Sequence, residues 1–167
     1  LFVVRNVGNI IAPCGPDGLS TSDESEGAAI EFATRSLGVS DVIVCGHSEC
    51  GAMRLLLGQV PEFEAPNLRS WLRHAHEPLR AVRAGARMAG DLSPWNQLSQ
   101  INVLHQLEHL RTYPAVRERE AAGRLRLHAW WFDIARAEVL AHDSGEGRFV
   151  VIDEWGAERI LDRLEGR

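Results

Sequence analysis

The spacing of hydrophobic residues changes along the chain, and each change predicts a different secondary structure. Consecutive apolar residues predict buried strands over 1–5 and 41–45. Apolar residues at helical spacing predict a helix over 24–37, between these strands, and another over 52–57, after the second. The order strand, helix, strand, helix is typical of a sheet whose neighbouring strands run parallel.

The central part of the chain is predicted to be helical. Apolar residues recur at helical spacing over 67–88, and Ser93-Pro94 is a suitable start for the next helix. A shorter helix is predicted over 114–121. The helix that starts at Pro94 carries one apolar stripe, formed by Leu98, Ile101, Leu104, Leu107 and Leu110.

Towards the C-terminus, apolar residues occur at every second position, as in half-buried strands. This spacing predicts a strand pair over 124–141, and a further strand follows over 149–153. A short amphipathic helix is predicted over 158–164. Because no repeat or linker divides the chain, we predict a single domain over 1–167: an α/β fold with a mainly parallel central β-sheet flanked by helices.

The composition excludes several classes of protein. Of the 167 residues, 45% are hydrophobic and 25% are charged, which is typical of a globular protein and not of a disordered chain. The net charge of −5 disfavours a nucleic-acid partner, because phosphate neutralisation requires clustered Lys and Arg. No apolar run approaches the roughly 18–20 residues of a membrane span, so no membrane partner is expected.

The three cysteines, Cys14, Cys45 and Cys50, do not form the pattern of a disulfide framework. Their odd number favours a reducing compartment, and no signal peptide is found, so we expect a cytoplasmic location. The chain begins with Leu1 rather than Met, inside a strand-like run. We therefore expect further residues upstream of Leu1 in the natural protein.

The segment with the most chemical information is the polar turn 46–51, which follows the second predicted strand. Ligands of open α/β sheets bind at the carboxyl ends of strands. His47 and Cys50 lie three positions apart in this turn, and an imidazole with a thiolate at this spacing is half of a zinc site. The start of a helix favours the thiolate, and Gly46 and Gly51 are expected to permit close approach of a ligand.

The His-x-x-Cys spacing leaves other interpretations open. Cys50 is also compatible with a small core residue, and His47 with a polar group that caps the helix. A third interpretation is a thiol nucleophile at Cys50 activated by His47, although no orienting residue lies nearby. A phosphate-binding loop is disfavoured, because Ala52-Met53 stands where such a loop carries Lys and Ser or Thr.

Other residues of potential interest have simpler explanations. His105 and His109 lie four apart on a predicted helix without the His-Glu-x-x-His order of a zinc site, so a polar helix edge is favoured. His74 and His76 are predicted to lie at the surface. The aromatic run 130–132 is favoured as core packing, with a dimer interface as the alternative.

Five blocks of the sequence resemble the β-class carbonic anhydrases of bacterial type. The similarity extends in order over the chain to about Asp153, and the Gly-His-Ser-x-Cys-Gly block is the most specific. The blocks are LFVVRNVGN (1–9), GAAIEFA (27–33), GHSECGAM (46–53), LEHLRTYPAV (107–116) and HAWWFDI (128–134).

The resemblance implies the reversible hydration of carbon dioxide to bicarbonate and a proton, by attack of a zinc-bound hydroxide. In this family two cysteines and one histidine hold the zinc, and His47 and Cys50 match the second and third ligands. The family's backbone contact with the substrate corresponds to Gly51. The resemblance also implies a homodimer or higher homo-oligomer, in the cytoplasm or within a carbon-fixing microcompartment.

One part of the family pattern is not found in this sequence. The first zinc ligand belongs to a Cys-x-Asp-Ser-Arg motif whose Asp and Arg form the catalytic dyad, and we expect it upstream of Leu1. Cys14, in a loop after a different strand, and Cys45, predicted to point into the core, are not obvious substitutes. Residues 1–167 alone are therefore expected to be inactive. The alternative is a catalytically inactive homologue that acts as an assembly or scaffold subunit.

Overall fold

The computed structural model describes residues 1–22, 24–59, 64–153 and 156–158. Its sheet has four strands in the order β1-β2-β3-β4, of which the first two run parallel and the other neighbours antiparallel. The α/β fold class is therefore confirmed, but in the described part of the chain the sheet is mixed rather than mainly parallel, because β2, β3 and β4 follow one another as antiparallel neighbours. The strands are β1 (Asp41–His47), β2 (Arg126–Asp133), β3 (Glu138–Asp143) and β4 (Arg148–Val151).

The described helices lie close to the positions that the apolar spacing predicts. A π-helical turn over Phe32–Ser36 extends the first helix, and Val7–Asn9 forms a short 3-10 turn. The helices are α1 (Glu24–Glu31), α2 (Gly51–Leu56), α3 (Pro66–Leu72), α4 (His76–Arg83), α5 (Pro94–Thr112) and α6 (Pro114–Ala121).

The helix predicted over 67–88 is two helices, α3 and α4, joined by the 3-10 turn Arg73–Ala75. Pro78 explains the interruption: it has no N–H for the carbonyl of His74, and its ring would clash with that carbonyl in a continuous helix. Because Pro78 falls in the first turn of α4, where N–H groups lack helical partners, α4 tolerates it.

The prediction of a buried strand over 1–5 is wrong. Residues 1–6 have no regular structure, and the side chains of Leu1, Val3 and Val4 are exposed. An apolar run becomes a strand only where its backbone bonds to a neighbouring strand, and no described strand pairs with the outer edge of β1. The Phe2 ring instead packs against Phe32, with ring centroids 5.9 Å apart.

Helix α5 is the central support of the fold, because it packs against both β1 and β2. The predicted apolar stripe is confirmed: Leu98, Leu107 and Leu110 are buried, while Ile101 and Leu104 are half-buried. The same helix also buries polar side chains, which the apolar stripe does not predict. These are Gln97, Ser99, Gln100, Asn102 and Gln106.

Two of these polar residues fasten the N-terminal loop to α5. The Asn102 amide donates a hydrogen bond to the Gly8 carbonyl (3.2 Å), and the Ile11 N–H donates to Gln106 Oε1 (2.8 Å). Among the described residues, no helix has both the length and the apolar character needed to cross a membrane. Most of the helix predicted over 158–164 lies outside the described residues.

Candidate functional site

The predicted zinc half-site lies where β1 ends and α2 begins. His47 is the last residue of β1, and Cys50, with extended backbone, immediately precedes α2. His47 is half-buried, whereas Cys50 is 2% exposed. The structure therefore places the imidazole and the thiol at the two ends of one short turn, at the carboxyl end of a strand that pairs in parallel with β2.

The His47 ring has a hydrogen bond that defines its tautomer. Its Nδ1 lies 2.7 Å from the Ser48 carbonyl oxygen. Because a carbonyl oxygen only accepts, Nδ1 carries the hydrogen, and in the neutral ring the lone pair is therefore on Nε2. A neutral imidazole with a free Nε2 lone pair is the form in which histidine binds a metal ion.

The turn 47–50 is joined to the end of β2 through Ser48. The Ser48 N–H donates to the Phe132 carbonyl (2.9 Å), and the Ile134 N–H donates to Ser48 Oγ (2.9 Å). Ser48 is 3% exposed, so water has little access to these two bonds. The residue between the two strand ends is thereby fixed by its backbone and its side chain.

Ser99 of α5 supports the same turn from the helical layer. Its hydroxyl donates to the His47 carbonyl oxygen (2.8 Å) and accepts from Trp131 Nε1 (3.0 Å). Ser99 is fully buried and Trp131 is 1% exposed. One side chain thus connects the backbone of His47 with β2 and α5.

Glu49 is the third residue of the turn and has a left-handed backbone, with a φ of 59°. Its N–H donates to Asn96 Oδ1 (2.9 Å), while its carboxylate accepts from Trp95 Nε1 (2.8 Å) and pairs with the Arg54 guanidinium. That guanidinium lies 4.4 Å from the centre of the Trp95 ring. Residues at the start of α5 and in α2 therefore jointly hold Glu49 in place.

Gly46 and Gly51, the two glycines that flank the turn 47–50, have different roles. A Cβ on Gly51 would meet no heavy atom within 4 Å, so a small molecule has room to approach its backbone. A Cβ on Gly46 would lie 2.5 Å from Val103 Cγ2 and 3.3 Å from the Trp131 ring. The expectation that Gly46 permits close approach of a ligand is therefore wrong, because Val103 of α5 and the Trp131 ring of β2 already occupy this space.

The other cysteines do not join the half-site. Cys45 is exposed, so the prediction that it points into the core is wrong; strand alternation places Val44 and Gly46 on the core side instead. Cys14 is half-buried in a loop, where it pairs with Ser20 in an isolated bridge. In the parts of the chain that the structure describes, no three His, Cys, Asp or Glu residues are grouped to hold a metal ion.

The four other histidines that the sequence analysis considered range from half-buried to exposed. His105 and His109 are half-buried, with ring centroids 4.8 Å apart, and His109 Nδ1 donates to the Ile11 carbonyl (2.6 Å). Burial lowers the pKa of both. His76 is exposed as predicted, but His74 is half-buried, and this burial lowers its pKa to about 4. The surface prediction is therefore wrong for His74.

Sequence reasoning did not identify the residues of α5 that support the turn. Trp95, Asn96 and Ser99 bond to residues 46, 47 and 52 positions away, respectively, a separation that no local pattern reports. A weak signal was present nevertheless. The helix has more polar residues than its solvent-facing side needs, which suggests a buried hydrogen-bonded face.

The family model described as carbonic anhydrase matches residues 1–139. A carbonic anhydrase of Pseudomonas aeruginosa is 39% identical over 167 residues, which cover 100% of this chain and 73% of that protein. One from Synechococcus elongatus is 41% identical over 158 residues, covering 92% of this chain but 55% of the relative. The match to a Synechocystis relative likewise covers 51% of that protein.

Solved structures of carbonic anhydrases are also similar to this chain. The β-carbonic anhydrase CcaA has a TM-score of 0.79 and 39% identity, over 90% of this chain and 71% of that one. One of two tetrameric β-carbonic anhydrases from Sordaria macrospora has a TM-score of 0.68 and 26% identity, over 84% of this chain and 66% of that one. Sequence and fold therefore indicate the same relationship.

Proposed function

The chain belongs to the β-class carbonic anhydrase family, and from this membership we propose that the protein catalyses the reversible hydration of carbon dioxide to bicarbonate and a proton. The observation that carries the proposal is the turn between β1 and α2, which has His47 and Cys50 at its ends. Family membership names the reaction, and the turn supplies the residue types that it needs.

The chemistry of these two residues fits a zinc ion. His47 would bind through Nε2, whose lone pair is available because Nδ1 donates to the Ser48 carbonyl. Cys50 would bind as the thiolate, and both are common zinc ligands. When bound, zinc lowers the pKa of a coordinated water towards about 7, which makes it a nucleophile at neutral pH.

A catalytic zinc site has three protein ligands, and the described residues supply two of them. We propose that the third ligand and the Asp-Arg dyad come from the family's Cys-x-Asp-Ser-Arg motif, upstream of Leu1. We assign the substrate contact to the backbone of Gly51, next to which there is open space. Carbon dioxide is small and uncharged, so steric access is the main requirement of such a contact.

We also propose a homo-oligomer in the cytoplasm. The support for the oligomer is the Sordaria macrospora relative, whose structure is described as tetrameric. The support for a reducing compartment is that Cys14, Cys45 and Cys50 are all free thiols.

The test uses protein expressed from its complete reading frame, with zinc content measured by metal analysis and hydration measured by stopped flow. We expect about one zinc per chain, and we expect His47→Ala and Cys50→Ser each to lose both zinc and hydration. Cys45→Ser is the matched control, because that thiol is exposed and separate from the turn. It should keep both properties.

Two results would contradict the proposal. A wild-type protein without zinc and without hydration would be the inactive homologue, with a role in assembly. Hydration that survives complete removal of zinc by a chelator would favour the thiol chemistry of Cys50 instead.

A further inference from the structure

Helix α5 is bonded to the turn 47–50 at two separate points. At the first, the Ser99 hydroxyl donates to the His47 carbonyl. At the second, Asn96 Oδ1 accepts from the Glu49 N–H, next to Cys50 in the chain. Each point lies at or beside one of the two residues that we assign to the metal.

The hydrogen bond from Ser99 is buried, so water does not compete for it. Ser99 is fully buried, and its hydroxyl also accepts from the indole N–H of Trp131. Because the Trp131 N–H occupies one hydroxyl lone pair, the hydroxyl hydrogen is directed at the His47 carbonyl. This bond fixes the peptide plane that follows His47, and with it the direction in which the imidazole leaves the backbone.

The second point of attachment holds a backbone conformation that non-glycine residues rarely adopt. Glu49 has a φ of 59°, and such a conformation persists only where its surroundings determine it. Asn96 binds both the N–H and the carboxylate of Glu49, and Trp95 binds the same carboxylate oxygen. This conformation reverses the chain so that Cys50 follows at the start of α2.

We propose that Ser99 and Asn96 are positioning residues, which hold His47 and Cys50 in the mutual orientation that zinc requires. The inference rests on the proposed zinc-dependent function. Both residues belong to one continuous helix of 19 residues. The two ends of the turn are therefore attached to the same rigid element. A turn without these bonds must be ordered when the metal binds, which weakens binding.

A merely structural role is the competing explanation, and α5 offers a matched control for it. Gln97 is buried on the same helical turn, accepts from the Met88 N–H (2.7 Å) and donates to the Met88 carbonyl (3.1 Å). Gln97→Ala therefore removes two bonds of α5 to a loop without touching the turn 47–50. Its effect on stability should resemble that of Ser99→Ala.

The experiment compares Ser99→Ala, Asn96→Ala and Gln97→Ala in the protein from its complete reading frame. The zinc dissociation constant is measured by competition with a chelator, and the melting temperature is measured without metal. We expect Ser99→Ala and Asn96→Ala to weaken zinc binding by about 10–100-fold, as is typical when supporting bonds of metal ligands are lost. Gln97→Ala should lower the melting temperature but leave zinc affinity at the wild-type level.

One further variant and one spectroscopic probe sharpen the comparison. Ser99→Thr keeps the hydroxyl and should restore zinc affinity towards the wild-type value. The visible spectrum of the Co²⁺-substituted protein should change in Ser99→Ala and Asn96→Ala and not in Gln97→Ala. Wild-type zinc affinity in both alanine variants would overturn the proposal, as would losses of affinity in all three that follow their losses of melting temperature.

Hydrogen exchange separates the failure of this inference from the failure of the proposed function. If the wild type takes up no zinc, the proposed function is wrong, and exchange of the Glu49 amide still tests whether Asn96 orders the turn. We expect that amide to exchange faster in Asn96→Ala and at the wild-type rate in Gln97→Ala. Equal exchange in wild type and Asn96→Ala would show that the turn does not depend on α5.

Discussion

Asp41 and Arg126 are paired across the first position of the parallel strands β1 and β2, at the opposite end of these strands from His47. Arg126 Nε and a terminal guanidinium nitrogen donate to the two carboxylate oxygens at 2.7 and 2.9 Å. His128 Nε2 lies 2.9 Å from the same carboxylate. The register of β1 on β2 is thus marked by an ion pair at one end and by the Ser48–Phe132 bond at the other.

Asp41→Asn should lower stability at neutral pH and have no effect in strong acid. The hydrogen bonds from Arg126, then those from Ser40 and His128, hold the pKa of Asp41 well below its usual value of 3.8. A carboxyl whose pKa is lowered in the folded state stabilises the fold above pH 3.8. This contribution is lost as the pH falls through the pKa of the folded state. Urea unfolding of both proteins at pH 7 and in acid measures the difference. An equal deficit at both pH values would contradict the assignment.

His74 should make the protein sensitive to mild acid. Burial, followed by the nearby charges of Arg73, His109 and His76, lowers its pKa from 6.5 to about 4. The unfolded chain therefore binds the proton more readily, so stability falls as the pH drops from about 6.5 towards about 4. His74→Leu should reduce this fall in urea titrations at pH 7 and 4.5. An unchanged pH dependence would mean that His105 and His109, whose pKa values are also lowered, account for the effect.

Gly46→Ala should destabilise the fold by about 1–3 kcal/mol, the usual cost of overpacking a core. The new methyl group would lie 2.5 Å from Val103 Cγ2, so β1 must move away from α5. Gly51→Ala is the matched control, because its methyl group meets open space. Urea denaturation should show a clear loss for Gly46→Ala and a small change for Gly51→Ala. Activity should respond differently from stability: if the Gly51 backbone contacts the substrate, Gly51→Ala reduces the rate of carbon dioxide hydration.

The three thiols should react with an alkylating reagent in the order of their exposure. Cys45 is exposed, Cys14 is half-buried and Cys50 is 2% exposed. Mass spectrometry of the native protein should find Cys45 modified first and Cys50 modified only after the turn opens or the protein unfolds. Added zinc should slow the reaction of Cys50 further and leave that of Cys45 unchanged. Rapid modification of Cys50 in the folded protein would contradict this burial.

Much of the fold was predictable, because its elements are local patterns. The apolar run of β1, the Ser-Pro start of α5 and the period-two spacing of β2 each predict their element within a few residues. The strand predicted over 1–5 fails for a physical reason: apolar composition favours an extended chain, but a strand also requires a partner for its backbone. Of the candidate site, only the two proposed zinc ligands, His47 and Cys50, were predictable, from their residue types and their spacing of three positions.

The sequence by itself determined the α/β class and the location of the candidate ligands in one turn, because these follow from residue types at short separations. It also carried the resemblance to the family, in five blocks spread along the chain. Only the tertiary structure decided that Ser99 holds the His47 carbonyl, that Cys45 faces outward and that His74 is half-buried. Alternation shows which strand residues share a face, but not which face meets the helices. Contacts between residues some fifty positions apart likewise arise only when separate elements pack together.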